Sequence, residues 1–160
     1  MRNLTPLNAL TAALLLLSLS LSQAPAYAAD TEPPPARAAA DPLAGARARV
    51  ASKQWGPAID ELKKVNATGS ADWNNLMGYS LRKQATPDLD GAQRHYDAAL
   101  RIDPQHKGAL EYSGELALMK NDVPTAEARL ASLQRACPSG CEELDDLKKS
   151  VAKFKATGKM

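Results

Sequence analysis

From Pro42 onward, apolar residues recur at helical spacing, and the same order of small and large side chains returns at a fixed offset. Ala58, Ala92 and Ala126 stand 34 residues apart, as do Leu62, Tyr96 and Leu130, and again Val65, Ala99 and Leu133. A unit of this length is an α-hairpin that cannot bury its own apolar face, so copies must stack. Punctuation falls where hairpins need turns: Gly56-Pro57, Thr86-Pro87, Asp103-Pro104, Asp122 to Pro124, and Cys137-Pro138. The pattern predicts seven helices and an all-α fold.

Helix starts carry chemical marks. Thr86 suits the cap of a helix opening with Pro87, whose missing N–H costs nothing in a first turn, and Asp122 suits the same role before Pro124. Second helices of the hairpins are therefore expected to begin near 56, 87 and 123. Ser139 followed by Glu142 reads as a capping box. Behind it, Cys141, Leu144, Leu147, Val151 and Phe154 form one apolar stripe opposite charges, a helix expected to close the stack.

The first 41 residues lack this periodicity. Arg2, an apolar run from Ala9 to Leu21, and Ala26-Tyr27-Ala28 read as a cleaved secretory signal over 1–28. The run is shorter than the ~20 residues that span a bilayer, so no integral membrane segment is expected after cleavage. Position 29 is Ala and no Cys follows the run, so a lipoprotein anchor has no acceptor. Pro33-Pro34-Pro35 and Ala38-Ala39-Ala40 mark 29–41 as a disordered leader. A soluble product exported to a bacterial periplasm follows. Cleavage removes one charge, Arg2, leaving 19 bases against 18 acids and a formal charge of +1. Acids and bases are interleaved, which gives nucleic acid no basic patch to bind.

The 34-residue unit resembles the tetratricopeptide repeat. The middle copy, 71–104, carries the best match: Leu76, Met77, Gly78 and Leu81 in its first helix, then Ala92, Tyr96, Ala99 and a closing Pro104. The third copy repeats it with Gly114, Ala117, Ala126, Leu130 and Pro138, while the middle copy holds two extra residues around Thr86-Pro87-Asp88. Departures are Gly45, Arg47 and Arg49 in a degenerate first copy, Leu133 at a usually small position, and Trp73 one place early. The resemblance, which covers about 42–138, implies a right-handed superhelix of about three hairpins there; the capping box and apolar stripe place a capping helix over 139–156, with a tail at 157–160. It also implies that a partner protein or peptide lies along a concave face lined by the first helices of the hairpins. That face maps to Asp72, Asn75, Tyr79, Arg82 and Lys83 in the middle copy, and to Glu111, Glu115 and Met119 in the third. Tyr79 and Met119 are the large apolar contributors there. The basic clamp by which some relatives hold a C-terminal carboxylate is not reproduced at its usual positions.

Cys137 and Cys141 are the only cysteines. In an oxidising compartment they suit a structural disulfide closing a short loop. A redox pair aided by the helix N-terminus, and soft-metal binding with Met119 or a His as third ligand, are the competing readings. His95 and His106 read as ordinary surface histidines. No Ser/His/Asp order, H-E-x-x-H, phosphate-cradling glycine loop or paired catalytic carboxylates appear, and neither enzyme activity nor a cofactor is expected. The leading expectation is an envelope adaptor holding a partner in its groove. The alternatives are a thiol-redox or copper-handling protein using Cys137 and Cys141, and self-association through an exposed first-repeat face.

Overall fold

The structure, a computed structural model, describes residues 40–160. The expected signal over 1–28 and nearly all of the expected leader over 29–41 lie outside the described residues. The described residues form seven helices and no strand: α1 (Ala44–Ala51), α2 (Trp55–Val65), α3 (Ala71–Lys83), α4 (Leu89–Ile102), α5 (Lys107–Met119), α6 (Val123–Ala136) and α7 (Glu142–Thr157). The fold is all-α, as the periodicity requires.

Helices pair in sequence as α1–α2, α3–α4 and α5–α6, and α7 packs against both α5 and α6. First helices also meet one another, α1 against α3, α3 against α5, and α5 against α7. The repeating small position falls in the first turn of each second helix, and Ala58, Ala92 and Ala126 are all fully buried. Leu62, Tyr96, Ala99 and Leu133 are fully buried as well, whereas Val65 and Leu130, their counterparts in other copies, are half-buried. Gly78 is where α3 and α4 close on each other. A Cβ there would lie 2.8 Å from the buried Tyr96 ring and 3.1 Å from the Ala92 carbonyl oxygen.

The core falls into three clusters. Leu43, Ala46, Ile59, Leu62, Trp73, Leu76 and Met77 join α1, α2 and α3. The Trp73 indole N–H is spent on the Leu62 carbonyl at 2.7 Å, tying α3 to the end of α2. Ala92, Tyr96 and Leu116 make a thin middle cluster. Leu110, Ala117, Leu118, Ala126 and Leu133 pack with Leu144, Leu147 and Val151 of α7, which thereby covers the last hairpin.

Two helix starts differ from the sequence expectation. α4 begins at Leu89, not near 87, and its cap is Asp88, whose Oδ1 accepts the Gly91 N–H at 2.8 Å. The two extra residues of the middle copy go into the loop before Asp88, closed by the Asp88 N–H on the Leu81 carbonyl at 3.0 Å, and leave Thr86 and Pro87 exposed. α7 begins at Glu142, three residues after the expected 139, and no capping box forms. Ser139 is exposed in a turn closed by the Gly140 N–H on the Cys137 carbonyl, with Gly140 at φ +89°, and Cys141 takes the cap position in extended backbone. Asp122 caps α6 as expected, accepting the Thr125 N–H at 3.1 Å.

Candidate functional site

Helical spacing places Tyr79 and Arg82 on one face of α3, and Glu111, Tyr112 and Glu115 on the facing side of α5. Tyr79 and Tyr112 stack with ring centroids 4.6 Å apart, and Trp55 at the start of α2 meets Tyr79 edge-on at 5.7 Å. All three rings are half-buried, so a row of aromatic surface crosses three helices. Contacts along the row join residues about one repeat apart: Tyr79 to Tyr112, Arg82 to Glu115, and Glu115 to Ser150 of α7.

Arg82 is the hub of this face. Its Nη2 donates to Glu115 Oε2 at 2.8 Å, and its guanidinium lies 5.6 Å and 5.5 Å from the Tyr79 and Tyr112 ring centres. Only 5% of Arg82 is exposed, so its charge serves the fold and is not presented to a partner as expected of a groove charge. Burial works against that charge, while Tyr96 and Glu115 favour it and carry its pKa above the ordinary value. Arg82 Nε and the Tyr96 hydroxyl are both buried and lack a hydrogen-bond partner among the described residues.

Glu111 is 8% exposed. Burial, then the carboxylates of Glu115, Asp146 and Glu143, push its pKa up to about 8, against the pull of Arg82. Burial likewise raises the hydroxyls of Tyr79 and Tyr112. Glu115 accepts a second hydrogen bond from the Ser150 hydroxyl at 3.2 Å, which links α5 to α7.

Other expected groove residues stand apart. Asp72, at the start of α3, pairs with Arg47 at 2.8 Å and with His106 Nε2 at 2.9 Å. The His106 hydrogen bond, with Arg47 beside it, holds the Asp72 carboxyl below its ordinary range. Asn75 packs under the start of α5, its Nδ2 2.9 Å from where a Cβ on Gly108 would sit, with Oδ1 buried and without a partner among the described residues. Lys83 reaches over the Tyr79 ring at 5.7 Å and is exposed. Met119 is 39% exposed in a cleft of about 440 Å³ with Leu118, Phe154 and Met160.

The histidines are not idle surface groups. His106 caps α5, its Nδ1 accepting the Ala109 N–H at 3.1 Å, so the ring proton sits on Nε2 and is donated to Asp72. His95 is half-buried edge-on to Trp73 and donates through Nδ1 to Asn74 Oδ1 at 3.0 Å; burial lowers its pKa. Cys137 and Cys141 meet at disulfide distance with Cα atoms 5.9 Å apart, joining the end of α6 to the start of α7. Among the described residues no set of three or more His, Cys, Asp or Glu side chains is arranged to hold a metal ion.

Sequence reasoning missed Trp55, Tyr112, Glu143 and Asp146. Trp55 begins a second helix, outside the set of first helices, but Tyr112 follows Glu111 and lies three residues before Glu115, so spacing alone puts it on their face. No model of a known protein family matches the chain, and no curated protein matches it.

Proposed function

We propose that residues 42–157 form a non-enzymatic adaptor of the cell envelope that holds a segment of a partner protein across α2, α3 and α5. The observation that carries this reading is the row Trp55–Tyr79–Tyr112. Three aromatic rings in a row, Trp55 against Tyr79 and Tyr79 against Tyr112, each half-open to solvent and drawn from three helices, supply rigid contact area at low entropic cost, the usual make-up of a binding hot spot. Arg82 and Glu115 set the rings behind it. No helix of the described residues is long and apolar enough to cross a membrane, and the Cys137–Cys141 pair suits an oxidising compartment, which agrees with export.

Photo-crosslinking in the native host tests the reading, with the reactive group at Tyr79 and a control at exposed Lys149 on α7. A discrete adduct from Tyr79 alone is expected, and Tyr79→Ala weakens capture of that partner while helicity is kept. Equal labelling from both positions, or none from either, overturns it.

A further inference from the structure

The aromatic row offers more than apolar area. Among the described residues the Trp55 indole N–H and the Tyr79 and Tyr112 hydroxyls make no hydrogen bond, whereas the Trp73 indole N–H is spent inside the fold on the Leu62 carbonyl. Three donors on half-open rings are thus left for acceptors from outside. Lys83 adds a charge at the same place. Its Nζ lies 5.7 Å over the Tyr79 ring, it is exposed, and no acid pairs with it among the described residues. With Trp55 5.7 Å and Tyr112 4.6 Å from Tyr79, the two outer rings lie at most about 10 Å apart.

We infer that the partner segment on this row is an extended proline stretch flanked by an acidic residue, with its prolines on the Trp55, Tyr79 and Tyr112 rings and the acid on Lys83. This deepens the adaptor reading and rests on it. A polyproline II chain has three residues per turn and rises 3.1 Å per residue, so prolines one turn apart stand about 9 Å apart on one face, within the length of the row. Its carbonyls have no internal partner and can accept from the indole and phenol donors. A helical segment has its carbonyls already paired and would leave those donors unused. The stretch is also rigid before it docks, which keeps the entropic cost of binding low. Lys83 favours an acid at its flank over a base.

Calorimetric titration tests this with three blocked heptapeptides: Glu-Pro-Pro-Ala-Pro-Pro-Glu, the same peptide with alanine for every proline, and the proline peptide with lysine at both ends. The acidic proline peptide should bind at least about tenfold more tightly than the alanine peptide. It should also bind more tightly than the lysine-ended one, a preference that Lys83→Glu should reverse. Trp55→Phe and Tyr79→Phe each keep a ring and remove one donor, and each should weaken the acidic proline peptide by about three- to tenfold. In proton–nitrogen NMR spectra the Trp55 indole signal should move on binding while that of Trp73, held on Leu62, stays. Equal binding of the proline and alanine peptides, no binding by any, an end-charge preference that survives Lys83→Glu, affinity untouched by both donor deletions, or a stationary Trp55 signal overturns the inference. Movement of that signal with protein concentration alone overturns it too, and assigns the row to a second copy of the chain. The adaptor reading is decided separately by the Tyr79 adduct: a crosslinked partner with no proline stretch at the adduct refutes the proline site and leaves the adaptor standing.

Discussion

Glu111 keeps its proton in the folded protein up to about pH 8, whereas in the unfolded chain it ionises near its ordinary value of 4.5. Unfolding between those values releases a proton, so this residue makes stability fall as pH rises from about 4.5 to about 8 and adds no further slope above that. Glu111→Gln removes the effect. The variant should match the parent near pH 4.5 and exceed it at pH 8 by on the order of 3 kcal/mol, read from denaturant midpoints across pH. Arg82 behaves in the opposite sense, because its removal leaves Glu115 with only the Ser150 hydroxyl. Arg82→Met should cost about 2 to 4 kcal/mol, and in a double-mutant cycle Glu115→Gln should cost less when Arg82 is already gone. Neither effect was legible in the sequence. There Arg82 and Glu115 are two charges on expected outer faces, and only packing of α3 on α5 shows that they answer each other.

Small residues at the repeat positions made the helices legible, because close approach of two backbones tolerates little else at Ala58, Ala92 and Ala126. Gly78 obeys the same constraint. Gly78→Ala drives a methyl against the fixed Tyr96 ring and should destabilise by about 1 to 3 kcal/mol in thermal or chemical unfolding. Helix boundaries were harder to read, since Thr86 and Asp88 are both good caps and sequence does not say which loop length closes. The structure selects Asp88, so Asp88→Ala should cost about 1 kcal/mol and Thr86→Ala close to nothing, a difference that paired melts resolve. At the start of α7 the Cys137–Cys141 link and the turn at Gly140 displaced the expected Ser139 cap. The aromatic row was half legible: Tyr79 stood out as a large ring on an exposed first-helix face, but its partners come from a neighbouring hairpin and a second helix.

For the whole molecule, adjacency rules. Each hairpin touches the next, and the core divides into an α1–α3 cluster, a thin middle one and an α5–α7 cluster. Stability in such an array is close to a sum over neighbours, and weak joints open first. The Cys137–Cys141 link acts only on the last joint. Reducing it should lower stability by up to roughly 2 kcal/mol and speed amide exchange in α7, leaving α1 and α2 unchanged. At the other end α1 is eight residues long, so amides of α1 and α2 should exchange fastest among the helices. The aromatic row crosses these divisions, with Trp55 on the helix that closes the first cluster and Tyr112 beside the second. A segment lying along it is therefore a splint as well as a guest: occupancy and the opening of the first hairpin oppose each other, and the partner's grip is measurable as protection of amides it never touches.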